Sequence, residues 1–316
     1  MVTFTKPLPD AGGTMQTQAV HITKKLRTGR HTRREEIVAL LFLLPSLAGF
    51  LTFYLVPFIQ SFGMSFLSSP INGRFVWFDN YRMLLTNQVF GKAAWNTLVF
   101  TGVGVPLLVV LSLALAVALS SKLPGQKSLA TVFLTPLVIP VASVVLVWQV
   151  LFDNNGAVNS LLATMGAERI DWMKSAWAPY VVMLLFLWKN IGYNMVLFMA
   201  SLAAVPTEWL ESADLDGANG VQKFRHIVWP RLLPTTFFVL IISVINSFKV
   251  FREVYLLAGA YPHDSIYTLQ HFMNNMFSSL DYQKLTSAAF IMAVAVVGLV
   301  TGLFALRTRI SRYAGS

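Results

Sequence analysis

ESADLDGANGVQKFRHIVWPRLLP, Glu211 to Pro234, separates an apolar run near 177–204 from another near 235–258. Together with Glu208 it places Glu211, Asp214 and Asp216 beside Lys223, Arg225 and Arg231, in a chain that is 55% hydrophobic and 12% charged. A mean hydropathy of +0.62, with 13% aromatic residues over 316 positions, leaves too little charge to clothe a water-soluble domain of this length. The flanking runs therefore read as membrane spans, and the charged stretch as a connection in water between them.

Working outward, six apolar segments lie near 37–66, 95–120, 128–152, 177–204, 235–258 and 285–307. Each reaches the roughly 20 residues that cross a bilayer's hydrocarbon core. Helix is the expected form, because unpaired backbone groups are costly in lipid and the segments are about twice the length of barrel strands. The fold class is thus an all-α membrane bundle of six spans over 37–310, preceded by a basic tail, 1–36, with no apolar core of its own and read as disordered. There is no cysteine, so no disulfide staples the fold. A net charge of +10 would point to nucleic acid in a soluble protein. Here the basic residues flank apolar runs, so the partner is the lipid bilayer and no nucleic acid is expected.

Lys and Arg counts set the orientation. The tail, the 121–127 turn, the 205–234 loop and the C-terminal end hold fifteen of them, and the other three connections hold six: Arg74, Arg82, Lys92, Arg169, Lys174 and Lys284. The positive-inside tendency puts the first set, and both termini, in the cytoplasm.

Within the loop, Pro206-Thr207 can open a helix with Thr207 as its cap and Glu208 and Glu211 near its positive dipole end. Leu210, Ala213 and Gly217 share a narrow face of small or apolar residues, leaving Glu208, Asp214 and Asp216 to water. Gly217 and Gly220 let the chain turn, and Val221, Phe224, Ile227 and Val228 carry it back to the membrane, where Pro230 and Pro234 are expected to break the helix. The four acids oppose docking on an anionic leaflet, so a protein partner fits the elbow better than lipid headgroups do.

Glu211-Ser212-Ala213, then Gly217, Ile227 and Pro230, resemble the EAA motif of the membrane subunits of bacterial ATP-binding-cassette importers. Asp216-Gly217-Ala218, with Phe224, Ile227, Pro230 and Pro234, is similar to the carbohydrate-importer version, of the maltose and glycerol-phosphate permease type. LLPSLAGFLTFYLVPFIQSFGMSF (43–66) and TPLVIPVASVVLVWQVLFDNNGAVN (135–159) resemble that family's first helix and its third with the following turn. The resemblance implies that Glu211, Ser212, Ala213, Asp214, Gly217, Ile227 and Pro230 form the coupling contact with a separate ATPase. Ser212 departs from the usual alanine. The resemblance also implies two ATPase copies that bind ATP and Mg2+, a second homologous permease subunit, an extracellular solute-binding protein, and residence in the bacterial inner membrane. No phosphate-cradling G-x-x-x-x-G-K-[ST] occurs; Gly91-Lys92 is followed by Ala93 and lacks the upstream glycine. No cofactor is therefore expected on this chain.

Polar residues inside spans mark a path or an internal pair, because they are expensive there. Asn190 and Asn194 share a helix face bordered by Tyr193, able to bind sugar hydroxyls or to hydrogen-bond a neighbouring helix. In the fifth span, Lys249, Arg252 and Glu253 read as a paired or snorkelling cluster, with Lys249 and Glu253 one turn apart, and Asn246 as the deeper candidate for solute contact. Pro106, Pro136 and Pro140 predict kinks, and Trp148 and Trp172 predict interfacial anchors. His263 and His271 lack metal-site spacing. An importer of glycerol phosphate or a polyol, an ion-driven secondary transporter and a membrane enzyme stand as alternatives. The second lacks mid-membrane acids and repeats, and the third lacks G-x-S-x-G or H-E-x-x-H.

Overall fold

The computed structural model describes residues 33–120 and 125–314, so the tail up to residue 32 and most of the 121–127 turn lie outside the described residues. Two compact units divide the chain between Phe58 and Ile59. The first holds α1 (Arg33–Phe50) and a π-turn, Leu51–Leu55, and the division falls within α2 (Val56–Met64). Helix thus begins inside the segment assigned to the tail. Phe42, Phe53 and Tyr54 stay exposed on it, as lipid-facing side chains do.

The second unit carries the remaining spans. Six apolar helical segments among the described residues reach membrane length. Helix α3 (Asp79–Leu85) precedes α4 (Gln88–Ser120), a single helix that begins before the expected 95 and continues through Pro106. The region expected to span 128–152 is two helices, α5 (Gln126–Val138) and α6 (Val141–Phe152), separated where Ile139 and Pro140 adopt extended backbone. At 1.5 Å per residue, neither piece alone crosses the roughly 30 Å hydrocarbon core. Helix α7 (Ala157–Thr164) follows, then α8 (Ala178–Ala203), α9 (Thr207–Leu215) and α10 (Gly220–Lys223).

From α10 the chain runs without a break through a π-turn, Phe224–Val228, into α11 (Trp229–Lys249). Pro230 and Pro234 therefore do not interrupt the helix, contrary to the sequence expectation. Pro230 directly follows the π-turn, whose wider ladder relaxes the crowding that a proline ring imposes on the preceding carbonyls. Helices α12 (Phe251–Ala258), α13 (Leu269–Ser278) and α14 (Tyr282–Ala314) complete the chain.

Helix α8 is the hub, packing against α4, α5 and α11. Met195 and Phe198 meet Val105, Val109 and Ala116 of α4, and Leu232 and Val239 of α11, all buried. A second cluster joins Leu84, Phe90 and Ala93 to Tyr267, Phe272 and Ala288 where α4 and α14 begin. Trp148, expected as an interfacial anchor, is buried with Val144 against Val181 and Leu185 of α8 and stacks on Phe152 at 5.1 Å. Trp172 is half-buried and donates its indole N–H to Asn159 Oδ1 at 3.1 Å.

The short helices α3, α7 and α13 each bury one asparagine that satisfies loop carbonyls. Asn80 donates to the Ser65 and Leu67 oxygens at 2.9 and 2.8 Å. Asn159 donates to Ile170 O at 2.8 Å and Asn275 to Ala260 O at 3.0 Å. A buried carbonyl without a partner costs free energy, and these amides prevent that where the backbone is irregular.

His271 is fully buried in α13, its Nδ1 accepting the Thr268 N–H at 3.3 Å while Nε2 finds no partner among the described residues. Burial pushes its pKa from 6.5 down to about 4. Unfolded chains bind this proton below pH 6.5 and the folded chain does not until about pH 4, so stability present above 6.5 is lost as pH falls through that window. Acidifying from pH 7 to 4 should lower the stability of the 260–281 segment by on the order of 3 kcal/mol, read by hydrogen exchange, and His271→Gln should remove that dependence.

Candidate functional site

Two regions of the second unit stand apart from its apolar packing. One is the elbow formed by α9, α10 and the start of α11. Pro206 is extended and takes the cap position, making Thr207 the first helical residue rather than the cap. At the other end of α9, Gly217 adopts φ +75°. There Ala218 N donates to Ala213 O at 2.9 Å and Gly217 N to Asp214 O at 3.1 Å, which closes the helix's last carbonyls. A side chain at Gly217 would be strained in that conformation. Asn219 and Gln222 then cap α10 reciprocally, with bonds of 2.9 and 2.8 Å.

Glu211, Ser212, Asp214 and Gly217 are exposed on the elbow, while Ala213 and Ile227 are half-buried and Pro230 is exposed at the foot of α11. Leu215 is 91% exposed at the tip, an apolar residue absent from the sequence assignment. Two links hold α9 in place: Lys223 Nζ of α10 lies 2.5 Å from Asp214 Oδ1, and the Arg231 guanidinium of α11 lies 4.3 Å from the centre of the Trp209 ring. Sequence reasoning counted these charges but did not pair them. The i, i+9 spacing of Asp214 and Lys223 across a glycine turn was the available signal.

The other region is a cavity of about 400 Å3 at the α5–α6 break, bounded by α8, α11 and α12. The break supplies Val138, Ile139, Pro140 and Val141; Lys189 and Asn190 come from α8; Asn246, Lys249, Arg252 and Glu253 come from α11 and α12. Irregular backbone at membrane depth is tolerated where it faces such a cavity rather than lipid. Asn246 Nδ2 donates to Asn190 Oδ1 at 3.1 Å, and Asn190 Nδ2 donates to Phe186 O at 2.8 Å, which fixes both amides at the wall.

Of the residues assigned to the path, Asn190 and Asn246 line this cavity, and Tyr193 and Asn194 do not. Asn194 is almost fully buried and donates to Ser243 Oγ at 2.8 Å, so it joins α8 to α11. Tyr193 is half-buried. Glu253 of α12 pairs with Lys189 of α8 rather than with Lys249 at the end of α11. The reason is burial: Lys189 and Glu253 are 16% and 5% exposed in their side chains, and a charge that deep requires its partner there. Lys249, on the rim, is exposed.

Close backbone contact shapes the wall behind these residues. A Cβ on Gly192 would lie 1.8 Å from Phe133 O of α5, so only glycine lets α5 rest on α8 at this point. No group of three or more His, Cys, Asp or Glu residues able to hold a metal occurs among the described residues.

Six apolar spans, a helix broken at a polar cavity and a projecting elbow define a multi-pass membrane transport subunit. The sequence profile of the binding-protein-dependent transport system inner membrane component matches residues 91–313, and the chain belongs to that family. The arabinooligosaccharides transport system permease protein AraP of Bacillus subtilis (strain 168) is 37% identical over 225 residues, 69% of this chain and 71% of the relative. The sn-glycerol-3-phosphate transport system permease protein UgpA of Yersinia pestis is 28% identical over 280 residues, 88% and 92% of the two chains. A chain of the bacterial alginate ABC transporter, solved in complex with alginate pentasaccharide-bound periplasmic protein, shares the fold at a TM-score of 0.77 and 22% identity, covering 88% of this chain and 96% of that one. Family membership sets aside the secondary-transporter and membrane-enzyme alternatives.

Glu253→Gln strands Lys189 in its buried position and should cost about 3–5 kcal/mol, measured as a fall in the thermal midpoint of the purified protein. Lys189→Met with Glu253→Leu should recover most of that loss. Gly192→Ala should force α5 off α8 and lower the same midpoint, whereas Gly102→Ala, with nothing within 4 Å of its Cβ, should not.

Proposed function

We propose that this chain is one permease subunit of an ATP-driven importer for a sugar or oligosaccharide, and that the 205–234 elbow is its handle for a separate ATPase. The observation that carries the reading is the attachment of α9 to α11. Trp209–Arg231 links an exposed acidic helix to the span that supplies Asn246 and Lys249 to the cavity, and Asp214–Lys223 holds the same helix on α10, which runs on into that span. Displacing such an elbow moves the cavity wall, and a loose amphipathic loop would not transmit that motion.

In this reading Glu211, Ser212, Ala213, Asp214 and Gly217 enter a cleft of the ATPase, with Leu215 as the apolar tip, and Ile227 and Pro230 support the return into α11. Two ATPase copies bind ATP and Mg2+, a second homologous permease closes the other side of the path, and an extracellular binding protein delivers the solute. The protein resides in the bacterial inner membrane with both termini cytoplasmic. The sugar assignment draws support from AraP, whose name gives arabinooligosaccharides as its cargo. Asn190 and Asn246 offer amides suited to hydroxyl groups.

Tagging the chain and purifying it from the native membrane should recover a second permease and an ATPase, and adding the binding protein with its solute should stimulate ATP hydrolysis. Recovery as a lone polypeptide overturns the proposal. Glu211→Lys, a surface change, and Gly217→Trp should both abolish uptake while the chain remains inserted in the membrane at normal levels. Full uptake by both variants refutes the coupling assignment.

A further inference from the structure

We infer that the cavity at the α5–α6 break takes a polyhydroxy solute that carries a carboxylate or phosphate, with Lys249 and Arg252 as its counter-charges. The inference rests on the permease reading above and deepens it. Three cations, Lys189, Lys249 and Arg252, line the cavity against a single carboxylate, Glu253. Glu253 is committed to Lys189, and neither Lys249 nor Arg252 has an ion-pair partner among the described residues.

The fold makes no use of these two. Both side chains are exposed, and no hydrogen bond to either occurs among the described residues, so packing does not account for them. The α5–α6 break contributes helix-end carbonyls and helix-start N–H groups to one place, so its dipoles largely cancel and the side chains set the sign of the field. A neutral sugar would leave two cations unanswered, whereas an anionic one supplies what they lack.

The hydroxyl half of the inference has its own support. Asn190 and Asn246, already bonded to each other, flank the same space. Cations for the charge, and two amides for the hydroxyls, together fit an acidic saccharide or a sugar or polyol phosphate.

The chain has no cysteine, so Asn246→Cys gives it a single thiol in the cavity. In membranes holding the full importer, the rate of modification of that thiol by an anionic sulfonatoethyl methanethiosulfonate is compared with that of the cationic trimethylammonioethyl reagent. Each rate is normalised to that of a free thiol in solution. The anionic reagent should react at least roughly tenfold faster, as expected inside a focused positive field. Lys249→Gln with Arg252→Gln should bring the ratio to near parity, and Lys249→Arg with Arg252→Lys should retain it. Parity without those changes, a preference for the cationic reagent, or no reaction with either overturns the inference.

Binding-protein-dependent ATP hydrolysis then separates the two anion sources. Stimulation by an oligouronide assigns a carboxylate, stimulation by glycerol 3-phosphate assigns a phosphate, and stimulation only by neutral oligosaccharides overturns the inference. Failure to recover an ATPase with the chain defeats the permease reading instead. The reagent ratio is read on the chain itself and does not depend on that result.

Discussion

In hydrocarbon, every backbone N–H and C=O must find its partner within the protein, and the architecture follows from where that demand is met and where it is relaxed. Along α4, α8 and α14 it is met by uninterrupted helix. At Ile139 and Pro140 it is relaxed, and the chain adopts extended backbone beside the cavity of about 400 Å3. The break is therefore bound up with the cavity. A lipid-facing helix could not afford those open groups, and a packed one would have no space to offer a solute.

Around that break, packing is organised by α8. Its glycine at 192 admits α5 to backbone contact, its apolar stripe holds α4 and α11, and its Lys189 reaches Glu253 on α12. The same helix thus supplies the core, the cavity wall and one half of the buried ion pair. Such a pair is weak as a source of stability, because desolvation offsets most of the attraction, but it fixes which faces of α8 and α12 meet. Fixing that rotation is what directs Asn190 and Asn246 to the same space.

The spans were legible in the sequence because length and hydropathy report directly on burial in lipid, and the elbow because its acids and glycines have no place in a bilayer. Side-chain partnerships were less legible. Lys249 and Glu253 are one helical turn apart, and local spacing favoured that pair; the actual partner, Lys189, lies 64 residues away in sequence and becomes a neighbour only once α8 and α12 are packed. A signal was present, since Lys189 and Glu253 are both interior charges and each required an answer. Helices α3, α7 and α13 went unread for a different reason. They are short and mixed in polarity, and their buried asparagines serve loop carbonyls whose positions no local pattern reveals. Trp148 shows the converse error, in which a residue type common at interfaces is a core residue in this bundle.

The π-turn at Phe224–Val228 inserts one residue more than an α-helix would hold between α10 and α11. An α-helix advances about 100° and 1.5 Å per residue, so that extra residue sets the azimuth of the elbow relative to the fifth span. With one residue fewer, Trp209 would no longer lie under Arg231. Chain length across these five positions, independent of which side chains fill them, thereby governs the heading at which the elbow presents its acidic face.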